Sequence, residues 1–240
     1  MKIDCFASSS SGNAYKVSSN TEILLELGIP VNKIMKGGSL PPFALLTHEH
    51  NDHAGFWKEY AGLGGKIITS KGTADALGGG DCFMTIESFK AIQVGGLEIM
   101  AFPVVHGVPE HLAEQGERAV ADPFGFLISD GEKTLLFATD TVNIFYTFQG
   151  ITNFLIECNW DEETISPSTH ETHLAWAMDS HMSLKTCKEF LKRHTKSAEE
   201  VILCHLSAKN ARPEKMAKEV KAIVGVPVGV CGKSGGIKFY

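Results

Sequence analysis

No run of apolar residues approaches the ~20 needed to cross a bilayer, so no membrane span is expected. The opening Met1-Lys2-Ile3-Asp4 is not followed by an apolar stretch either, which argues against a signal peptide. Positive charge is in short supply: 22 Lys and Arg stand against 28 Asp and Glu, a formal net charge of −6. That balance weighs against sequence-independent binding along a polyanion, which needs a basic surface, while leaving room for a local basic patch. The six cysteines (Cys5, Cys82, Cys158, Cys187, Cys204, Cys231) include no C-x-x-C pair and lie far apart, several inside apolar runs. They argue against a cysteine zinc site and read as buried free thiols in a reducing compartment, hence a cytoplasmic protein. No internal repeat and no linker interrupts the 240 residues, of which 43% are hydrophobic and 21% charged. One domain over residues 1–240 is expected.

Against these absences stands one dense stretch, Leu45-Leu46-Thr47-His48-Glu49-His50-Asn51-Asp52-His53-Ala54-Gly55. In extended chain, side chains two apart point the same way, so His48 and His50 can grip one metal ion. If the chain then turns into a helix, Asp52 and His53 face a second point a few ångströms away. Two cations so placed suit an in-line displacement, in which both reacting oxygens are clamped. Gly55 would let the helix start pack close to the sheet. A lone histidine is more often structural than a ligand, but four ligand-type side chains at this spacing are not explained that way.

Elsewhere the pattern alternates between strands and helices. Residues 1–7 and the run through Tyr15 and Val17 read as strands around the loop Ser8–Asn13. Further strands are expected at 21–27, 43–46, 66–70, 86–102 (around Gly95-Gly96), 125–129, 134–139, 153–157, 201–206 and twice in 227–240. Helices are expected at 30–38, 54–63, 73–77, 184–194 and 213–224, the last primed by Pro213. Gly107–Asp122 is a polar insertion, read as a surface loop or lid. Two packed sheets with helices outside follow from this order.

The H-x-H-x-D-H signature resembles that of the metallo-β-lactamase-fold hydrolases, and the resemblance runs the length of the chain. It implies an α+β fold, the αββα sandwich of two packed mixed β-sheets flanked by helices. It also implies further ligands at strand ends: His106 after Phe102–Val105, Asp140 after Leu135–Thr139, and His205 after Val201–Cys204. On that basis His48, His50 and His106 hold a first metal, Asp52, His53 and His205 a second, and Asp140 bridges them. Imidazole and carboxylate without thiolate suit two zinc ions and admit manganese or iron. Glu26 stands where the family usually has Asp, in a supporting position.

Within that family the chain is closest to the WalJ-type nucleases. The similar segments are Ser8–Asn13, Gly125-Phe126, Glu157-Cys158-Asn159-Trp160-Asp161, His181-Met182-Ser183, and His205-Leu206-Ser207 with Asn210 and Pro213. Related tRNase Z enzymes imply a proton-donating pair, Glu157 with His181, to protonate the leaving alkoxide; Asp52 joins them as a catalytic candidate. The resemblance thus implies a phosphodiester hydrolase acting on DNA or RNA, with Ser8–Asn13 and the insertion framing the substrate. The alternatives are a phosphodiesterase for a small cyclic nucleotide, resembling the anti-Pycsar enzymes and completed by a second copy in a homodimer, and a non-catalytic nucleotide-binding module. No membrane partner is expected. His111, His170, His173 and His194 carry no motif and are expected to be solvated, and Thr169–His173 is spaced too loosely for a metal site.

Overall fold

The structure, a computed structural model, describes residues 1–36, 38–107, 120–165 and 178–240. Among the described residues fourteen strands fall into two sheets. The first, in spatial order β1 to β6, comprises β1 Lys2–Ser9, β2 Gly12–Ser18, β3 Glu22–Leu25, β4 Phe43–Leu45, β5 Lys66–Thr69 and β6 Phe83–Thr85. The second runs from β14 in to β7 in descending order: β7 Ala91–Val94, β8 Leu97–Pro103, β9 Phe124–Ser129, β10 Thr134–Ala138, β11 Asn153–Glu157, β12 Glu200–Cys204, β13 Val228–Cys231 and β14 Ile237–Phe239. Both are mixed. Strands β3 to β6 and β10 to β13 are parallel, and the remaining neighbours are antiparallel hairpins or meanders.

Helices α1 Val31–Met35, α2 Asn51–Ala54, α3 Trp57–Gly62 and α4 Lys71–Ala76 accompany the first sheet. Helices α5 Leu184–Lys192 and α6 Pro213–Val224 accompany the second. Alternation within strands sorts the apolar residues into three layers of core. Tyr15, Leu25, Leu45 and Ile68 of the first sheet meet Phe126, Phe137, Leu155 and Ile202 of the second. Leu24, Ala44 and Ile67 face the other way, with Val31, Ala54 and Tyr60. Leu136, Phe154, Ile156 and Leu203 pack with Leu184, Phe190, Met216 and Val220. Strands buried on both faces must be apolar throughout, which is why β10 to β12 read as continuous runs. This is the α+β, αββα sandwich expected.

Several details differ from the sequence reading. Strand β6 was not anticipated: three residues beyond a glycine cluster carry too little periodicity. The strand expected from Ile86 begins only at Ala91, because Phe89 takes a left-handed backbone (φ 60°) and turns the chain. The helix expected over 54–63 is two, α2 and α3, broken at Gly55-Phe56. Gly55 is tight against α2's own Asn51 carbonyl rather than against the sheet. His194 is not solvated: it is buried, stacked on Phe190, with Nδ1 2.8 Å from the Phe190 carbonyl and Nε2 accepting the Phe148 N–H at 3.2 Å. An imidazole one helical turn after an aromatic can satisfy both nitrogens locally and so be buried at little cost. Five cysteines are buried and Cys82 is half-buried, all as free thiols. Among the described residues no helix is long and apolar enough to cross a membrane. His111, His170, His173, Thr169–His173 and most of the insertion lie outside the described residues.

Candidate metal centre

The parallel strands β10, β11 and β12 end in register, Ala138 beside Ile156 and Glu157 beside Cys204. Asp140, Glu157 and His205 therefore reach one rim. The parallel pair β3 and β4 ends likewise, Leu25 beside Leu45, delivering Glu26 and the run to His48. His106 arrives three residues past β8. Three of these side chains sit on left-handed backbone: Glu26 (φ 64°), Asp140 (φ 48°) and His205 (φ 51°). Each costs about 1–2 kcal/mol for a residue with a Cβ, and strain of this kind concentrates at functional sites.

The structure brings together every ligand named from the sequence. His48, His50 and His106 form one group whose ligand-type atoms lie within 4.8 Å of one another, and Asp52, His53, Asp140 and His205 form a second. His50 Nδ1 and His106 Nε2 are 3.2 Å apart, about the ~3.3 Å edge of a tetrahedron with ~2.0–2.1 Å metal–nitrogen bonds. His53 Nε2 lies 3.3 Å from both Asp52 Oδ2 and Asp140 Oδ1, and His205 Nε2 lies 3.6 Å from Asp52 Oδ2. Asp140 faces both groups. Its Oδ2 is 3.5 Å from His106 Nε2 and 3.9 Å from His48 Nε2, while Oδ1 turns to His53 and to His205 Nδ1, 3.3 Å away.

Two observations test whether cations fit. His48 Nε2 and His205 Nε2 are buried with no hydrogen-bond partner, each pointing into its group, and a buried polar atom without a partner is rare unless something else satisfies it. The donor set is imidazole and carboxylate throughout, which suits zinc, manganese or iron. The residues fit divalent metal ions.

The surroundings fix the tautomers. His106 Nδ1 lies 3.0 Å from the Ser180 carbonyl, so its proton sits there and Nε2 presents a lone pair. Thr47 Oγ1 holds His48 Nδ1 at 2.9 Å. Glu26, fully buried, places Oε2 3.6 Å from His53 Nδ1 and takes the Thr47 N–H on the same oxygen at 3.5 Å. The longer carboxylate thus still supports the site. Burial holds the His48 imidazole well below its usual pKa and His106 down at about 4. For His53 and His205 burial acts in the same direction, but Asp140 with Asp52 outweighs it, raising His53 well above its usual value and His205 to about 10. Burial alone would raise Asp140, yet the imidazoles of His205, His53 and His181 keep it well below the ordinary carboxylate range.

Glu157 and His181 meet beside this cluster. His181 Nδ1 donates to Glu157 Oε1 at 2.7 Å and lies 4.0 Å from Asp140 Oδ2. The pairing depends on Trp160, whose indole N–H donates to the His181 carbonyl at 3.2 Å, and on Ser183, which caps α5 by accepting the Thr186 N–H. Glu157, Asp140 and His205 with His181 also form a third cluster of ligand-type atoms.

Sequence reasoning missed Gly28. A Cβ there would overlap the Asp52 carbonyl and crowd the Asn13 backbone, so only glycine lets α2 sit where it does. Its one signal was a glycine closing a strand, which turns share. Asn159, noted only within a motif, donates to the His205 carbonyl at 2.8 Å. Ser8–Asn13, expected as a loop, is the tip of the β1–β2 hairpin, with Ser8 and Ser9 in β1 and Asn13 in β2; Ser8 and Asn13 are buried and hydrogen-bonded into the cluster, while Ser10 and Ser11 are exposed.

Comparison with known proteins bears on this geometry. A family model described as a beta-lactamase superfamily domain matches residues 30–206. No curated protein matches the sequence significantly. Zinc-bound PqqB from Methylobacterium extorquens is similar over 99% of each chain, at 15% identity and a TM-score of 0.76. YhfI from Bacillus subtilis, a metallo-beta-lactamase fold protein, is similar over 99% of this chain and 98% of its own, at 16% and 0.70. A diphosphatase from the PhnP family is similar over 99% and 97%, at 13% and 0.66. At such identities the likeness speaks to fold.

Proposed function

The chain belongs to the beta-lactamase superfamily, and on that premise we propose that it is a metal-dependent hydrolase of phosphodiesters. Two divalent cations are held by His48, His50 and His106 and by Asp52, His53 and His205, with Asp140 shared. The observation that carries the reading is the buried Glu157–His181 pair at 2.7 Å, at the edge of the cluster. When bound, the cations supply Lewis acidity, bringing the pKa of water toward neutrality and neutralising phosphoryl oxygens. Glu157 holds the imidazole of His181 by Nδ1 and so orients the ring. His181 then delivers the Nε2 proton to the leaving alkoxide, worth ~10²–10⁴ in rate. Lactam or thioester hydrolysis has no evident use for this pair, whereas the neighbour in the PhnP family is a diphosphatase.

The WalJ-like motifs support a nucleic acid as substrate. A second reading, a small cyclic nucleotide, is favoured by the hollow beside His106. It holds about 800 Å³ and is lined by Ile86, Val104 and Phe124, and its charged lining is Lys71 against Glu87 and Asp122. Purified protein with manganese or zinc, offered linear DNA, RNA and cyclic nucleotides side by side, separates the readings. Phosphodiester turnover that disappears in His50→Ala and Asp140→Ala is expected. Cleavage confined to cyclic nucleotides supports the second reading, and binding without turnover marks a nucleotide-binding module. Robust turnover in either variant contradicts the mechanism.

A further inference from the structure

The two halves of the cluster are braced by different parts of the chain. On the His48–His50–His106 side the supports are Thr47 Oγ1 and the Ser180 carbonyl. On the other side, besides Glu26, Glu157 and Asn159, they come from the tip of the β1–β2 hairpin. Ser8 Oγ accepts the backbone N–H of His205 at 2.8 Å, across 197 positions of sequence, just where that backbone takes its left-handed turn. The Tyr15 hydroxyl, inside the layer between the sheets, donates to the same Ser8 oxygen at 2.8 Å and lies 3.3 Å from Asn13 Oδ1. Asn13 Nδ2 donates to the Asp52 carbonyl at 3.2 Å, while Oδ1 accepts the Ser9 N–H at 3.0 Å. These contacts fall on Asp52 and His205.

We propose that Ser8 and Asn13 are positioning residues for the Asp52–His53–His205 cation site, so that the tip of the β1–β2 hairpin sets the affinity of one of the two sites independently of the other. The inference rests on the two-cation reading above. Its physical basis is that a ligand held by a rigid outer partner loses less freedom when it binds, and removing such partners typically weakens metal affinity 10–100-fold. Because the hairpin tip's contacts lie on one half of the cluster, the loss belongs to that half.

The test is a manganese titration of the metal-free full chain, followed by calorimetry and by electron paramagnetic resonance, which distinguishes a coupled pair from an isolated ion. The wild type is expected to take two equivalents and show a coupled pair. In Ser8→Ala and Asn13→Ala one equivalent weakens by ~10–100-fold while the other is unchanged, and partial loading gives the isolated-ion spectrum. Tyr15→Phe, which removes the hydroxyl that Ser8 accepts, weakens the same site to a smaller extent. Thr47→Val weakens the other site. Circular dichroism and a thermal melt establish that each variant is folded; should Asn13→Ala fail to fold, Ser8→Ala decides. Folded variants with both equivalents unchanged, or both weakened alike, overturn the proposal and leave the two-cation reading standing. A wild type that takes fewer than two equivalents overturns that reading, and the proposal with it.

Discussion

Each carboxylate oxygen of Glu157 meets two donors. Oε1 faces His181 Nδ1 at 2.7 Å and His205 Nδ1 at 3.1 Å, and Oε2 accepts the N–H groups of Thr141 at 2.9 Å and Met182 at 3.2 Å. Burial works against its ionisation, but His181 and the hydrogen bonds from His181 and His205 hold the carboxyl below its usual pKa. One residue thus braces both the proposed proton donor and a candidate ligand, and the two roles separate by mutation. His181→Ala should lower kcat by ~10²–10⁴ with bound metal unchanged, whereas Glu157→Gln should lower kcat and metal content together. Steady-state kinetics beside elemental analysis check this; equal metal content in both variants contradicts it. Protonation offers another test. His53 and His205, their pKa values raised, carry protons at neutral pH in the metal-free protein, while His48 and His106, held down, do not. A raised histidine stabilises the metal-free fold fully below its unfolded pKa of about 6.5. That contribution is lost as pH climbs through about 10 for His205. Filling the Asp52–His53–His205 site at pH 7 should therefore displace protons from His53 and His205, whereas His48 and His106 have none to give up, so that the first site releases the more protons, read by calorimetry in buffers of different ionisation enthalpy.

Helix α2 is four residues long, far too short to stand on its own. It is held from outside: Leu27 N–H donates to the His53 carbonyl at 2.6 Å, Phe56 N–H to the Leu27 carbonyl at 2.9 Å, and Gly28 lies flush against Asp52. Gly28→Ala forces the helix away, at a cost of about 1–3 kcal/mol by overpacking, and should abolish most turnover because Asp52 and His53 move with it. Gly225→Ala is the matched control. Gly225 closes α6 in left-handed backbone (φ 70°) with open space around it. Its loss costs about 1 kcal/mol of conformational strain and should leave turnover intact. Urea unfolding and turnover measured on both variants separate the effects; equal turnover in both contradicts the role given to Gly28. This is also where the sequence was least legible. A glycine's meaning here depends on a helix 24 residues away. The break between α2 and α3 and the strand β6 were hidden for a related reason: each is a short element specified by its neighbours, with no periodicity of its own. Helix α6, with Pro213 at its start and Gly225 at its end, was legible to the residue because its signals are local.

At the scale of the molecule, both sheets deliver side chains to one rim: His48 to His53 from the first, His106, Asp140 and His205 from the second. That convergence was readable because the resemblance asks for a ligand at each of these strand ends, and an apolar run closed by His or Asp answers it at His106, Asp140 and His205. How the site is braced was not readable. Ser8 to His205, Asn13 to Asp52 and Asn159 to the His205 carbonyl are contacts between residues of ordinary type, made only once the sheets have closed. The account stands on two cations held side by side with Asp140 between them. Anomalous scattering from crystals loaded with manganese or zinc tests this most directly. Two peaks ~3.5–4 Å apart are predicted, one among His48, His50 and His106, the other among Asp52, His53 and His205. A single peak, or none with those imidazoles splayed apart, would contradict it.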